Sequence, residues 1–344
     1  MASMFFNANS EPISIEKTYK NQALFITLCG PSLVGFNLDL LRQPGIITMG
    51  VNNSPKVFRP NLWVSVDSPS NFLYSIWRDP LITKFIHLGK QDKQLYDSSK
   101  RKMLTHIKSG ECPNIVYWKD NEYFQPNKFL TEDTINWGNH TDRCECGYFR
   151  LGKNETCRCK TSDPPTHVDG QSCSICKKPF RLALCPKCKK AQWGSRTVML
   201  SVVRIAHILG FNKVFLLGAD FKMSETQKYA FSQDRSASSI KNNNQTYERL
   251  NLRFNQLRPI FEKNRFYVWN CTPDSGLKSF DYMDYNLALK IALKDFPDTK
   301  NEPSSNMYDR EAQERERKRQ RRKDLESKRI DKLNKEEQPC PVKV

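Results

Sequence analysis

Eight cysteines in four closely spaced pairs are the strongest chemical signal in the chain. They are Cys144, Cys146, Cys157, Cys159, Cys173, Cys176, Cys185 and Cys188. Each pair can clasp one side of a metal ion, so the spacing predicts two structural zinc ions, each held by four thiolates. The last two pairs have the CxxC spacing typical of zinc sites, whereas the first two have a less standard CxC spacing. A pairing across the two halves, or a ligand at His140 or His167, therefore stays open.

The composition changes between residues 139 and 192, where large apolar side chains are scarce. A segment of this kind needs metal ions to fold, so we expect a small zinc-binding insertion within a larger domain. Lysines and arginines around the second cysteine group would offset the thiolate charge and form a basic surface. That surface suits nucleic acid or another protein, although a plain structural insertion explains it equally well.

A second group of polar residues follows four short apolar runs at 23–29, 46–51, 62–66 and 213–217. In chain order the runs are followed by Gly30, Pro31 and Ser32, by Asn52 and Asn53, by Asp67, and by Gly218 and Asp220. Since the carboxyl ends of parallel strands share one edge of a sheet, we expect these residues to meet in a single crevice. A glycine there lets the backbone approach a phosphate, and asparagine amides can bond a base or a ribose. Ordinary turn and capping roles are the alternative for each residue.

The elements that must position these residues are typical of an α/β fold with a mostly parallel sheet. Residues 198–209 are too apolar for a surface helix and should lie against the sheet, feeding a central strand at 213–217. Further helices are predicted at 38–41, 95–108, 246–263 and 283–293, and further strands at 114–118 and, near an edge, at 266–269. Residues 23–138 and 193–298 would form the main domain, preceded by an extension, 1–22, and followed by a charged tail, 299–344, either helical or disordered.

The net charge of +18 and a pI near 9.4 favour polyanionic partners or anionic substrates. No apolar run approaches the roughly 20 residues that span a bilayer, and the first residues lack the pattern of a signal peptide. We therefore expect a cytoplasmic protein, of a bacterium or of a phage-infected cell, in which cysteines serve as metal ligands. The basic run 317–323 is suited to nonspecific nucleic-acid contact, and a solubilising role is equally consistent.

Several segments, in this order, resemble the bacterial lipooligosaccharide sialyltransferases of glycosyltransferase family 42. They are residues 25–33 ending in Gly-Pro-Ser-Leu, the strand ending at Asn52, Gly194-Ser195 before a helix, residues 209–221, and Tyr229-Ala230-Phe231. Their order is also similar to that of the hydroxymethylpterin-pyrophosphokinase-like Rossmann proteins, which residues 60–67 match well. The resemblance covers most of residues 23–285 apart from the cysteine insertion. It implies a Rossmann-like sheet with helices on both faces.

The resemblance to the sialyltransferases implies nucleotide contacts at Gly30, Pro31, Ser32, Asn52 and Ser195. Tyr229 matches one of two tyrosines that help the phosphate leave, and Lys222 stands where the other would be. A lysine can stabilise a departing phosphate by direct charge. No histidine follows His207, where that family carries its general base, so Asp67 or Asp220 is the candidate base. Under the pyrophosphokinase-like resemblance, the same two carboxylates would hold Mg²⁺ between ATP phosphates.

Three functions follow from these residues. The first is a nucleotide- or nucleotide-sugar-binding transferase, similar to glycosyltransferases, with a CMP-sugar as one candidate donor. The second is an ATP-dependent enzyme similar to the pyrophosphokinases. The third, of a different class, is an inactive Rossmann-fold protein that holds nucleic acid or a protein assembly through its zinc insertion and basic tail. The salt dependence of binding separates the third function from the first two, because binding to nucleic acid weakens steeply as the salt concentration rises.

Overall fold

The central sheet is built from the short apolar runs of the sequence. The computed structural model describes residues 4–97, 103–140, 197–226, 228–233, 236–297, 301 and 309–336. The eight predicted zinc ligands, His167 and the predicted nucleotide contact Ser195 all lie outside the described residues. The chain divides into two units, Met1–Asp295 and Phe296–Val344.

The strands of the first unit are β1 (Phe5–Phe6), β2 (Pro12–Ile13), β3 (Ala23–Thr27), β4 (Thr48–Val51), β5 (Leu62–Val64), β6 (Thr83–His87), β7 (Gln94–Asp97), β8 (Met103–Lys108), β9 (Ile115–Trp118), β10 (Asp120–Tyr123), β11 (Ile135–His140), β12 (Lys213–Leu217) and β13 (Tyr267–Asn270). Its helices are α1 (Tyr74–Arg78), α2 (Val198–Ile208), α3 (Ala237–Lys263) and α4 (Tyr285–Leu293).

The main sheet has the strand order β13-β12-β3-β4-β5-β6-β9-β1-β2. Neighbours from β13 through β9 are parallel, whereas β1 pairs antiparallel with both β9 and β2. Two further pairs lie outside it, a parallel one of β10 with β11 and an antiparallel one of β7 with β8. The prediction of a mixed α/β fold with a mostly parallel sheet is therefore confirmed.

Side chains of alternate residues divide the core between the two faces of this sheet. Leu24 and Ile26 of β3 lie in one apolar cluster with the buried side chains of α2 and α3. Phe25, between them, lies in another cluster with side chains of α4. A strand buried on both faces needs apolar residues at every position, which is why these strands are continuous apolar runs.

Helix α2 is an interior helix. Ten of its eleven residues are buried, as a sequence that is apolar on nearly every face predicts. The hydroxyl of Thr197 caps its start by accepting a hydrogen bond from the backbone N of Met199 at 3.2 Å.

The helix predicted at 95–108 is wrong, because this segment contributes the antiparallel strands β7 and β8. Exposure alternates along Thr105, His106, Ile107 and Lys108, which is the two-residue period of a strand. β-branched residues at the inward positions favour that conformation.

Other elements differ from their predictions in extent, type or position. Helix α3 begins at Ala237, nine residues before the predicted start, because its first turns are polar and Ser236 caps them. Residues 38–42 form a 3-10 helix in place of the predicted α-helical turn. Strand β12 is second from the edge, between β3 and β13, and not central.

The second unit contains helix α5 (Arg310–Glu336). Its described side chains, as far as Arg329, are exposed, and pairs such as Arg315 with Glu311 at 3.2 Å lie one turn apart. Of the two states predicted for this charged run, the helical one is observed. Among the described residues, no helix has both the length and the apolar character required for a membrane span.

Candidate functional site

A cavity of about 820 Å³ opens at the carboxyl ends of the parallel strands. It is lined by residues that follow β3, β4, β5, β6 and β12 and by the first turn of α2. The predicted site residues in its lining are Gly30, Asn52, Asn53, Asp67, Gly218, Asp220, Lys222 and Tyr229. Pro31 and Ser32 belong to the same loop as Gly30 but lie outside the lining. The structure thus brings these loops together, while the roles of the residues in binding and catalysis stay predictions.

The cavity lies where the sheet changes its winding direction. The connection from β3 to β4 packs Leu33 and Leu41 on one face of the sheet. Helix α3, which follows β12, packs Leu250 and Phe254 on the other. Because β3 and β12 are neighbours, the loops after them diverge and leave a crevice between them. Ligands of open parallel sheets bind in such crevices.

Asp220 joins the loops that follow β3 and β12. Its Oδ2 accepts hydrogen bonds from Oγ of Ser32 at 2.7 Å and from the backbone N of Ser32 at 3.3 Å. The backbone N of Gly30 donates to the carbonyl oxygen of Gly218 at 3.0 Å. A Cβ atom at Gly30 would overlap both that carbonyl oxygen and Asp220 Oδ2. This close approach of two loops therefore requires glycine at position 30.

The two asparagines after β4 have different surroundings. Asn53 accepts a hydrogen bond from the backbone N of Leu73 and donates one to the carbonyl oxygen of Asn71, each at 3.3 Å. It therefore has the loop-fastening role that the sequence left as an alternative. The side-chain Oδ1 of Asn52 is buried and has no hydrogen-bond partner among the described residues. Of the two amides, that of Asn52 is better suited to a ligand.

Among the described residues that line the cavity, positive groups outnumber negative ones. Lys90, Lys222 and Lys228 line it, against two carboxylates, those of Asp67 and Asp220. Asp67 is exposed and Asp220 is buried. The first turn of α2 also lines the cavity, and the backbone N–H groups of a helix start carry partial positive charge. The site is therefore suited to an anion.

Tyr229 is held beside the loop that follows β3. Its ring stacks on Phe231 with centroids 5.6 Å apart, and Nζ of Lys56 lies 5.5 Å from the centre of the Phe231 ring. The backbone N of Ala230 donates to the carbonyl oxygen of Cys29 at 2.9 Å. These contacts hold the segment that carries Tyr229 beside the loop that follows β3.

The loop after β12 is braced from two further elements. The hydroxyl of Ser275 donates to the carbonyl oxygen of Ala219, and the backbone N of Gly276 donates to that of Asp220 at 2.7 Å. From α3, the amide of Asn244 bonds both the backbone N and the carbonyl oxygen of Met223 at 2.9 Å. The loop that carries Asp220 and Lys222 is therefore held rigidly.

Sequence reasoning missed several residues of the lining. They are Phe72, Lys90, Trp137, Thr197 and Tyr247. Lys90 follows strand β6 and Trp137 lies on strand β11, and neither strand was predicted; between residues 72 and 136 the sequence predicted a strand only at 114–118. The β-branched and aromatic residues within 83–87 and 135–137 are the signal that could have identified these two strands.

Comparison with known proteins places the chain in no family. No protein-family model matches it, and no curated protein matches it. Among solved structures, it is similar to the Maf glycosyltransferase from Magnetospirillum magneticum AMB-1, with 10% sequence identity and a TM-score of 0.36. That match covers 85% of this chain and 40% of the other, so the chain spans less than half the length of that protein.

Proposed function

We propose that the cavity binds a nucleotide or nucleotide-sugar and that the protein is a transferase of the glycosyltransferase kind. The observation that carries this proposal is the convergence of the loops after β3, β4, β5 and β12 on one cavity, whose described lining includes Lys90, Lys222 and Lys228. Its volume of about 820 Å³ is within the range of small-molecule and cofactor sites.

The phosphates of the ligand would lie between the loop that contains Gly30 and the start of α2. The start of α2 carries the partial positive charge of a helix N-terminus, and Lys90, Lys222 and Lys228 supply further positive charge around the cavity. Ser195, just before α2, is proposed as a further contact. The amide of Asn52 would bond the base or ribose, after a rotation that gives its buried oxygen a partner.

Tyr229 and Lys222 are the proposed stabilisers of the leaving phosphate. The Nζ atom of Lys222 donates to the carbonyl oxygen of Asp274 at 2.8 Å, and a ligand phosphate would compete with that neutral acceptor through its charge. Asp67 is the better candidate for the general base, because its carboxylate is exposed at the cavity. The carboxylate of Asp220 is already bonded to Ser32.

The test of this function is calorimetric titration of the full chain with CMP, CMP-sugars, UDP-sugars and ATP, each with and without Mg²⁺. We expect one site per chain, with an affinity that changes little between 50 and 200 mM salt. A requirement for Mg²⁺ with ATP would favour the pyrophosphokinase-like alternative. Absence of binding by any nucleotide, together with strongly salt-dependent binding to duplex RNA or DNA, would contradict the proposal and support the inactive binding protein.

We also propose that the eight paired cysteines hold two structural zinc ions. Atomic emission spectrometry of the purified chain should give about two zinc ions per chain. Each tetrahedral site takes four thiolates, so eight cysteines fill two sites. Replacement of Cys173 and Cys176 by serine should lower the content to about one. The matched control is Cys112→Ser, at a buried cysteine outside the cluster. A wild-type content of one or none would refute the pairing.

A further inference from the structure

Helix α5 contains a basic segment, residues 317–323, within a helix of otherwise mixed charge. Six of these seven residues are arginine or lysine, and the seventh is Gln320. The side chains described for α5, as far as Arg329, are all exposed. The basic segment therefore presents six positive charges over roughly two helical turns.

Most cations of the basic segment have no acidic partner, in contrast to the turn before them. Arg315 pairs with Glu311 at 3.2 Å, and Nζ of Lys318 lies 4.0 Å from Oε1 of Glu314. The other five cations of the segment form no ion pair with any described residue. They are Arg317, Arg319, Arg321, Arg322 and Lys323. Their charge is therefore available to an anionic partner.

The spacing of these cations opposes helix formation. Residues four apart are neighbours on a helix surface, and here three such pairs join two cations each. The pairs are 317 with 321, 318 with 322, and 319 with 323. Like charges at this spacing destabilise an exposed helix, whereas opposite charges stabilise it. A polyanion along the segment would relieve the repulsion, which favours a binding role over a solubilising one.

The cations are also spread around the helix. At about 3.6 residues per turn, the six positions cover about 240° of its circumference. A flat surface meets one side of a helix, whereas the two walls of a groove meet opposite sides. The major groove of DNA, about 12 Å wide, admits a helix of about 10–12 Å diameter and carries phosphates along both edges.

Two other anionic surfaces fit this helix less well. The major groove of duplex RNA is deep and too narrow for such a helix. A bilayer surface requires an apolar helix face, and between residues 310 and 329 the apolar residues are only Ala312 and Leu325. Duplex DNA is therefore the partner that the charge and the shape of the segment match best.

We propose that α5 binds duplex DNA in the major groove, with the cations of the basic segment on the phosphates of both strands. Contacts to phosphates carry no sequence information, so the binding is independent of base sequence. This inference goes beyond the proposed function and does not depend on it, because the described residues that line the cavity all belong to the other unit of the chain.

The test is fluorescence anisotropy of a short labelled DNA duplex titrated with the full chain at several salt concentrations. A dissociation constant of about 1–100 µM is expected at physiological salt. The logarithm of the affinity should fall with the logarithm of the salt concentration with a slope of about −5, because each of six phosphate contacts contributes about −0.9.

A triple variant, Arg319→Gln with Arg321→Gln and Arg322→Gln, tests the basic segment. It should make the slope shallower by about 2 to 3, because three phosphate contacts are removed. Circular dichroism should show no loss of helix, since the substitutions also remove like-charged pairs. The matched control removes three charges at exposed lysines of the first unit, with Lys20→Gln, Lys241→Gln and Lys263→Gln, and should keep the wild-type slope.

Four results would overturn the inference. One is no binding of DNA by the wild type at 50 mM salt. Another is a wild-type slope in the triple variant, which would place the DNA elsewhere on the chain. The third is an equal change of slope in the control, which would make net charge the cause. The fourth is equal or tighter binding of duplex RNA, or of vesicles containing phosphatidylserine, through the same three arginines. Nucleotide titrations of the triple variant should match the wild type, so that the proposed function is tested separately.

Discussion

Asp220 and Ser32 are 188 residues apart in sequence, and their hydrogen bond at 2.7 Å joins the two loops that border the cavity. The position of Asp220 after an apolar run identified it as a candidate site residue. Nothing in that local pattern revealed its partner, because strand order decides which loops meet. The carboxylate therefore has a loop-holding role that sequence reasoning could not distinguish from a catalytic one.

Gly30 provides a sharp test of this close approach. Gly30→Ala should lower the melting temperature and weaken nucleotide binding at least 10-fold, because the added Cβ would overlap Asp220 Oδ2 and the carbonyl oxygen of Gly218. Gly35→Ala is the control, since a Cβ there meets no atom within 4 Å in the described structure. Thermal unfolding and calorimetry measure both effects. Equal melting temperatures and equal nucleotide affinities of the two variants would show that the loops can move apart without loss of stability or binding.

His207 predicts a pH dependence of stability. Burial, and then the nearby Arg204 guanidinium, lower its pKa to about 4 from an ordinary value of 6.5. Between these values the unfolded chain binds a proton that the folded chain does not, so stability rises with pH across this window and is lost as pH falls towards 4. The slope is roughly 1.4 kcal/mol for each pH unit.

Urea unfolding of His207→Gln between pH 4.5 and 7 should therefore show a flatter pH dependence than the wild type. The control is His106→Gln, at an exposed histidine of β8, which should keep the wild-type slope. An unchanged slope in His207→Gln would assign the pH dependence to other groups.

At the scale of the elements, the strands with continuous apolar runs were predictable, whereas β6, β7, β8 and β11 were not. Strands β3 and β12 are buried on both faces, so their apolar runs are unmistakable. Strands β7 and β8 lie outside the main sheet, and their mixed polarity also fits a helix. Propensity alone cannot decide such segments, because the pairing partner supplies the preference for a strand.

Helix α3 contributes to the site by fastening the loop after β12. Asn244→Ala removes both hydrogen bonds to the backbone of Met223, so it should loosen residues 221–226 and weaken nucleotide binding roughly 3- to 10-fold, the equivalent of about 1 kcal/mol. Faster amide exchange in that loop should accompany the loss. Asn242→Ala, at an exposed position of the same helix, should have neither effect. Unchanged exchange in Asn244→Ala would contradict the fastening role.

At the scale of the whole molecule, the cavity is a product of topology. Its lining runs from Leu28 to Leu250 and is brought together because β12 inserts beside β3. The sequence was sufficient to place polar residues at strand ends, and the rule that parallel strands end at one edge was sufficient to group them. The sequence pattern did not identify Trp137 or Lys90 as site residues, because the strands that place them, β11 and β6, were not recognised.

Stability of the sheet depends in part on a buried charge on strand β6. Nζ of Lys84, a fully buried residue of β6, donates to the carbonyl oxygens of Asp79, Ile82 and Pro113 at 2.7, 2.8 and 2.9 Å. Lys84→Met would leave three acceptors without this donor and should destabilise the protein by about 2–4 kcal/mol. Exposed Lys93→Met is the control, with a change within about 0.5 kcal/mol. Equal urea midpoints for the two variants would contradict this role.

The most direct test of the central claim is the position of a bound nucleotide. Crystals of the full chain grown with 5-bromo-CMP would locate the base through the anomalous signal of bromine. We predict one bromine peak per chain inside the cavity, between the loops that follow β3 and β5 and the start of α2. A peak on any other surface, or no peak at saturating nucleotide, would contradict the assignment of this cavity as a nucleotide site.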